Sequence, residues 1–391
     1  MKDSISPLDG RYSSYVEELL PFFSEKALMR YRVMIEIEYL IALSKEKKFD
    51  GLPQFTKKQE ASYRNIYLKF NSISADKIKK IERQTNHDVK AVEYYIRSKV
   101  NKAIHPWVHF ALTSEDVNNL SYTLMWKDAL NKIYIPRLKS LQSELNLLSR
   151  KYSNSPMLSM THGQAATPTT FGKEIKVFAK RIERQIVGIN KHKLLGKFGG
   201  ATGTWSTHTV VYPNVNWILF AKNYIKSLNL DPNIVTTQIE PHDSIAESYH
   251  QLVRINSILT DLCRDFWYYI SRGVLIQKKI KGEVGSSAMP HKINPIHFEN
   301  AEGNCGLSSV LLTHFANKLT VSRMQRDLSG STVIRNQGLA LGYSVIALNN
   351  LVKGVGRITI NKQKIKNELN NHWEVLAEAL QTILRKNGFA N

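Results

Sequence analysis

The sequence predicts an all-α protein built around a bundle of long helices. Apolar residues recur at alternating steps of three and four in three separate stretches, residues 252–269, 171–189 and 138–148. This spacing places the apolar side chains on one face of a helix, where they pack against neighbouring helices. No series of alternating strands competes with this pattern, and no short-period repeat divides the chain.

We predict three domains along this helical chain. Residues 1–104 form a smaller helical N-terminal domain, and residues 105–355 form the central bundle. Residues 356–391 begin a further helical region at the C-terminal end.

Composition excludes several classes of protein. The chain has 391 residues, of which 42% are hydrophobic and 22% are charged, as in ordinary globular proteins. Its unbroken apolar runs fall short of the roughly 20 residues of a membrane span, and no apolar leader begins the sequence. The two cysteines, Cys263 and Cys305, belong to no metal-binding motif, so we expect neither a disulfide framework nor a metal site. This usage predicts a cytoplasmic protein.

The charge balance is strongly basic. Lys and Arg number 54 against 33 Asp and Glu, which gives a net charge of +21. A polyanionic ligand or a nucleic acid would suit this charge. The basic runs are scattered along the chain, and no zinc finger or aromatic-interleaved RNA motif accompanies them. The charge is therefore expected to cover solvated faces, and a nucleic-acid binder stays the less favoured alternative.

Polar breaks separate the predicted long helices. In "TSED", Thr113 precedes Asp116 by three residues, which resembles a capping box with Asp in place of Glu. The free N–H groups at helix starts favour anions. The breaks are "QTNHDVKAVEY" (84–94), "ALTSEDVNNL" (111–120), "MTHGQAATPTTFGKE" (160–174), "TTQIEPHDSIAE" (236–247) and "GEVGSSAMPHKINPI" (282–296).

The last of these breaks cannot continue a helix, because Pro290 and Pro295 lack an N–H group. Composition alone favours a flexible connection that carries a fortuitous hydroxyl. The family resemblance given next implies instead a catalytic loop, with Gly282 and Gly285 as the hinges of a lid.

Three motifs carry a family resemblance. "GSSAMPHKINP" resembles the G-S-S-x-M-P-x-K-x-N-P signature of the fumarase/aspartase superfamily, and "THGQAATP" and "TSEDVNN" resemble two further segments. Within that superfamily, "SPLDGRY", "TNHDVKAVEY", "TTQIEPHD" and "QRDLSGSTVIRN" are similar to the bacterial branch of the adenylosuccinate lyase family. The resemblance runs from residue 5 to about residue 388.

The resemblance implies a β-elimination that releases fumarate from an anionic nucleotide substrate, adenylosuccinate or succinylaminoimidazole carboxamide ribotide. It implies a long-helix bundle of this superfamily, a homotetramer with shared active sites, and no metal or organic cofactor. It also implies that the chain stops inside the C-terminal domain, so we expect a truncated helical C-terminal region.

The resemblance assigns the proton transfers. Ser286 is implied as the general base that takes the Cβ proton, with Lys292 as the cation that stabilises its alkoxide. His162 is implied as the general acid for the leaving nitrogen, since imidazole titrates near neutral pH. Glu299 is implied as the partner that orients His162.

The substrate carries a phosphate and two carboxylates, so several cations and N–H donors are expected around it. His242 is interpreted as structural and lies outside the predicted set. The positions implied for substrate binding are Arg11, Tyr12, Asn86, His87, Asp88, Thr113, Ser114, Gln238, Asn294, Arg326, Ser331 and Arg335.

Two alternatives within the same fold remain. One is another lyase of the superfamily, such as argininosuccinate lyase, which "MPHK" and "TNHD" disfavour. The other is a helical scaffold without activity, which the retention of Ser286, Lys292, Asn294 and His162 disfavours.

Overall fold

Long α-helices dominate the structure, a computed structural model that describes residues 3–280, 282, 289 and 291–389. The helices, in chain order, are α1 (Ser13–Val16), α2 (Leu20–Phe23), α3 (Glu25–Lys45), α4 (Lys57–Leu68), α5 (Ser72–Thr85), α6 (Asp88–Arg97), α7 (Ser114–Ala129), α8 (Ile135–Lys151), α9 (Phe171–Lys191), α10 (Ser206–Val211), α11 (Trp217–Ser227), α12 (Asp243–Ser271), α13 (Ile296–Leu319), α14 (Ser329–Ile334), α15 (Gln337–Gly356), α16 (Lys362–Asn370) and α17 (Ala377–Lys386).

The predicted apolar seams coincide with three of these helices, α8, α9 and α12. In α9 the buried positions include Ile175, Phe178, Ile182 and Ile186, which repeat at helical spacing. One stripe of each helix is therefore buried, as an amphipathic helix of a globular protein requires. The prediction of a mainly helical fold is confirmed.

Local sequence sets several helix starts. Ser24 accepts a hydrogen bond from the Ala27 N–H and begins α3. Thr56 and Gln59 form a reciprocal capping box at the start of α4. Each cap satisfies N–H groups that have no partner inside the helix.

Six short strands accompany the helices in the described part of the chain. They form three two-stranded sheets: β1–β2 and β5–β6 are antiparallel, and β3–β4 is parallel. The strands are β1 (Pro156–Thr161), β2 (Gln164–Thr170), β3 (Leu195–Gly196), β4 (Asp231–Pro232), β5 (Leu275–Gln277) and β6 (Ile358–Ile360).

The hairpin β1–β2 replaces the polar break that the sequence suggested over residues 160–174. Thr161 pairs with Gln164, which leaves His162 and Gly163 as a two-residue turn. Both turn residues have positive φ, 53° and 73°. This is the pattern of a type I′ turn, whose twist matches that of the paired strands.

Two compact units divide the chain. Unit 1 comprises residues 1–134, 191–252 and 310–342. Its aromatic core includes Tyr39, Phe198, Phe220 and Tyr224, whose ring centroids lie 5.3 to 6.3 Å apart where they contact. The Tyr224 hydroxyl donates to the Ile35 carbonyl at 2.9 Å, so this buried polar group is satisfied.

Unit 2 comprises residues 135–190, 253–309 and 343–391. Phe171 packs edge-on against Tyr152 and Tyr269, and Phe266 packs against Phe298. Helix α16 packs on β1. The division into domains at residues 104 and 355 rests on sequence and stays a prediction.

One stretch of the described chain, Ser329–Gly356, is long and apolar enough by composition to cross a bilayer. Within its apolar window, 61% is buried inside the structure. Burial of this kind is the pattern of a core helix, and the stretch is interrupted between α14 and α15.

Candidate functional site

A polar cavity of about 510 Å³ lies within unit 1. The starts of α6 and α7, the middle of α3 and the segment around α14 line it. Seven of the twelve predicted binding residues are in its wall. They are Asn86, His87, Asp88, Ser114, Arg326, Ser331 and Arg335.

The linker between α5 and α6 brings three of these residues to the wall. Asn86 adopts the left-handed conformation with φ of 50°, which ends α5. His87 then caps α6, and its Nδ1 accepts a hydrogen bond from the Lys90 N–H at 3.1 Å. With Nδ1 used as an acceptor, Nε2 is the ring nitrogen left to carry a proton.

The start of α7 brings Ser114 to the same cavity. Asp116 accepts a hydrogen bond from the Thr113 N–H at 2.9 Å, so the side chain predicted for the capping role performs it. Thr113 itself is not in the wall and precedes Ser114 as the N-cap residue. Two helix starts, those of α6 and α7, thus face one cavity, which favours an anionic ligand.

A carboxylate joins two arginines in the wall. Asp88 accepts from Arg32 at 2.8 Å and from Arg335 at 3.0 Å. Burial opposes ionisation of Asp88, but the two guanidinium groups outweigh it and lower its pKa to about 2. The carboxylate therefore stays charged and fixes both arginines.

Arg326 is held from two sides. Its Nη1 donates to Gln238 Oε1 at 2.9 Å, and its Nη2 lies 3.7 Å from Glu115. Burial raises the pKa of the Glu115 carboxyl to about 7, although Arg326 and Lys197 act in the opposite direction. Gln238 is not in the wall and acts on it through Arg326.

The remaining predicted binding residues lie elsewhere. Arg11 and Tyr12 stand in the turn before α1, with the guanidinium 5.9 Å from the Tyr12 ring, and neither is in the cavity wall. Asn294 lies in unit 2, half-buried in the segment before α13.

The predicted general acid lies in unit 2. His162 is exposed at the tip of the β1–β2 hairpin, in the left-handed conformation. The following Gly163 completes the turn. The imidazole therefore projects from a defined turn between two paired strands.

The other predicted catalytic residues lie close together in the sequence of unit 2. Lys292 is exposed in the segment that leads into α13. Glu299 lies in the first turn of α13 and accepts a hydrogen bond from Trp267 Nε1 at 3.2 Å. Within the described residues this indole, and not His162, is the hydrogen-bond partner of Glu299. Ser286 and Gly285 lie outside the described residues.

Several cavity residues escaped the sequence predictions. Arg32 is buried in the middle of α3, and its only sequence signal is a cation in an apolar helical stretch. Glu115 follows Ser114 directly, so its neighbour could have identified it. His242, interpreted as structural, also lines the cavity, and burial lowers its pKa to about 4.

This arrangement suits recognition of a multiply charged anion. Three guanidinium groups and two helix starts meet at one cavity, and a bidentate guanidinium matches phosphate and carboxylate geometry. Among the described residues, no group of three His, Cys, Asp or Glu side chains is placed to hold a metal ion.

Two family models match the chain. One, described as Lyase, matches residues 10–307, and the other, described as Adenylosuccinate lyase C-terminal, matches residues 322–391. The expectation that most of the C-terminal domain is lacking is therefore wrong, and the matched region begins well before the predicted boundary at residue 356.

Curated relatives match nearly the whole chain. Adenylosuccinate lyase of Legionella pneumophila strain Corby is 48% identical over 389 residues, 98% of this chain and 85% of the relative. The enzyme of Escherichia coli K12 is 45% identical over 390 residues, 98% of this chain and 86% of the relative. That of Dictyostelium discoideum is 45% identical over 399 residues, 99% of this chain and 85% of the relative.

Solved structures share the fold at low identity. A fumarate lyase from Mesorhizobium sp. BNC1 superposes with a TM-score of 0.76 at 17% identity, covering 95% of this chain and 82% of that one. A 3-carboxy-cis,cis-muconate lactonizing enzyme from Pseudomonas putida gives 0.75 at 20% identity, covering 96% and 83%. At this identity the likeness describes the fold alone.

Proposed function

Because the chain belongs to the adenylosuccinate lyase family, we propose that it is a carbon–nitrogen lyase that cleaves adenylosuccinate to AMP and fumarate. We propose the same β-elimination for succinylaminoimidazole carboxamide ribotide, which gives AICAR and fumarate. The observation that supports this function best is the cavity of unit 1, whose wall collects seven residues predicted for binding an anionic nucleotide.

The reaction needs one proton removed and one delivered. In the proposed mechanism the Ser286 alkoxide takes the proton from the succinyl Cβ, the C–H electron pair forms the double bond of fumarate as the C–N bond breaks, and His162 donates a proton to the departing nitrogen. Lys292 stabilises the Ser286 alkoxide, and Asn294 donates to the substrate. Glu299 orients His162 in this proposal, which requires it to exchange its bond to Trp267 for one to an imidazole.

The binding roles follow from charge. Arg326 and Arg335 bind the phosphate and carboxylates, and Asn86, His87, Asp88, Ser114 and Ser331 complete the wall. Thr113, Gln238, Arg11 and Tyr12 are proposed to bind or orient the same nucleotide. No cofactor is proposed, and the cysteine usage supports a place in the cytoplasm.

We propose a homotetramer in which different copies contribute residues to each active site. Complementation tests this directly. A His162→Asn chain and an Arg335→Ala chain, each inactive alone, are expected to regain part of their activity when unfolded and refolded together. Mixing that restores nothing, with tetramers formed, would contradict shared sites.

The activity itself is tested with the purified chain and adenylosuccinate. The reaction is followed by the ultraviolet absorbance change of the purine. Equimolar AMP and fumarate are the expected products. Release of fumarate from argininosuccinate, with adenylosuccinate untouched, would overturn the assignment. An inert protein in both assays would favour the scaffold alternative.

A further inference from the structure

Lys197, a residue outside the predicted site, is completely buried in unit 1. Its ammonium has three donors, and each reaches a different segment. Nζ lies 2.7 Å from Asp116 Oδ1, 2.9 Å from the Gly200 carbonyl and 2.8 Å from the Gln238 carbonyl. All three protons are therefore used within the protein.

The partner carboxylate is equally saturated. Besides Lys197, Asp116 accepts from the N–H groups of Thr113 at 2.9 Å, Gly199 at 3.0 Å and Gly200 at 3.1 Å. A buried ion pair is tolerated when its remaining hydrogen-bonding capacity is filled in this way. The pair thus joins the start of α7 to the loop at residues 199–200.

This pair reaches the cavity through Gln238. The main-chain carbonyl of Gln238 is bound to Lys197, while its side-chain Oε1 accepts from Arg326 at 2.9 Å and its Nε2 donates to the Ala201 carbonyl at 2.8 Å. Gln238 therefore cannot shift without disturbing either Lys197 or Arg326. Arg326 is in the cavity wall.

The neighbouring glycine shows how closely the two segments approach. Gly203 has a φ of 76°, and an added Cβ would overlap the carbonyl oxygens of Thr236 and Thr237. The loop after Lys197 thus lies directly against the segment that carries Gln238. The lysine bonds both segments at this contact.

We propose that Lys197 is a positioning residue, which holds Gln238 and the start of α7 so that Arg326 and Ser114 face the bound nucleotide. This inference rests on the proposed function, because the binding roles of Gln238 and Arg326 do. Packing alone does not call for the pair, since an apolar residue of similar volume often replaces a buried ion pair without loss of stability.

A double-mutant cycle separates positioning from structure. Lys197→Met together with Asp116→Asn removes both charges and keeps the volume, so neither charge is left unpaired. The cycle compares four proteins: the unchanged chain, the neutral pair, Gln238→Ala, and the neutral pair combined with Gln238→Ala. Lys127→Met is the matched control, because that lysine also donates to a main-chain carbonyl of unit 1, that of Asn229.

The neutral pair is expected to raise KM for adenylosuccinate about tenfold with kcat within about twofold, the signature of lost uniform binding. In the Gln238→Ala background the neutral pair is expected to raise KM by about threefold or less, because the route through Arg326 is already lost and only that through Ser114 remains. A KM within twofold of the unchanged chain, or effects that multiply, would overturn the proposal. If the neutral pair does not fold, Lys197→Gln takes its place in the cycle.

Failure of the proposed function gives a different result. In that case the unchanged chain itself does not turn over adenylosuccinate, and amide hydrogen exchange over residues 236–240 becomes the readout. Exchange at least about tenfold faster in the neutral pair than in Lys127→Met supports positioning. Equal exchange rates refute it.

Discussion

Arg335 lies 3.0 Å from Asp88, although 247 residues separate the two in the chain. Arg32 approaches the same carboxylate oxygen at 2.8 Å. One acidic side chain therefore connects α3, α6 and the segment after α14. The placement of both arginines in the cavity wall depends on this connection.

Asp88→Asn is expected to lower the free energy of unfolding by about 1 kcal/mol at pH 7, a value reduced for solvent screening. The folded-state pKa of Asp88, about 2, lies below its ordinary value of 3.8. Its contribution is therefore complete above about pH 4 and is lost as the pH falls towards 2. The free energies of unfolding of the variant and the unchanged chain are therefore expected to converge at low pH. Urea denaturation at pH 7, 4 and 2.5 measures both.

The control for that series is Glu183→Gln, because among the residues that the structure describes Glu183 forms only an exposed helix pair with Lys180. Such pairs contribute little, so its midpoint is expected to match that of the unchanged chain. An equal loss of stability in both variants at pH 7 would show that the Asp88 pairing has no special weight.

Glu115→Gln is expected to raise the free energy of unfolding, and to do so at high pH. The folded-state pKa of Glu115, about 7, lies above its ordinary value of 4.5, so ionisation costs the folded state stability as the pH rises from 4.5 to 7. The variant should equal the unchanged chain at pH 4 and exceed it at pH 8 by about 2 kcal/mol. Exposed Glu17→Gln is the control, and a variant less stable than the unchanged chain at pH 8 would contradict the expectation.

Arg326→Lys is expected to raise KM for adenylosuccinate about 10- to 100-fold, because an ammonium cannot bind Gln238 and an oxyanion with the same planar fork. Steady-state kinetics measures the effect. Arg323→Lys is the matched control, since that exposed arginine pairs only with Asp327 among the described residues. Equal KM values for the two variants would remove Arg326 from the binding site.

His162→Asn removes the imidazole and keeps the turn, because Asn followed by Gly is a preferred type I′ pair. We expect kcat to fall about 10²- to 10⁴-fold, the usual contribution of a general acid. His250→Asn is the control, an exposed histidine on α12. Circular dichroism establishes that both variants fold, and unchanged turnover in His162→Asn would refute its role.

Two glycines of α9 offer a matched pair. An added Cβ at Gly172 would overlap the backbone of Ser149 and Ser153, whereas at Gly188 it meets nothing within 4 Å. Gly172→Ala should lower the free energy of unfolding by about 2 kcal/mol or more, by overpacking. Gly188→Ala should raise it by about 0.5–1 kcal/mol through helix propensity. Thermal melts measure both changes in stability. A stabilising Gly172→Ala together with a destabilising Gly188→Ala would show that the helix register is wrong.

The sequence predicted the long helices well because their burial is periodic. In α8, α9 and α12 the apolar stripe alone identifies the helix, and the structure buries that stripe. The hairpin at residues 156–170 was missed, because its strands lack clear alternation and are half-exposed. Its turn depends on a positive φ at His162. The pattern of side chains in the sequence does not predict this conformation.

The residues of the cavity wall could be predicted from the sequence only where they belong to a recognisable motif. His87, Ser114 and Arg335 belong to recognisable segments, and the structure places them in one wall. Arg32 and Lys197 belong to no such segment. Arg32 bonds to Asp88, 56 positions away in the chain, and Lys197 to Asp116, 81 positions away. Pairing over such distances cannot be predicted from the local sequence.

The shared carboxylate of Asp88 also sets the charge that remains in the cavity wall. One carboxylate offsets only one of the two guanidinium groups that it joins, so Asp88, Arg32 and Arg335 together keep one positive charge. Loss of the Asp88 carboxylate would therefore double this local charge without the addition of any cation.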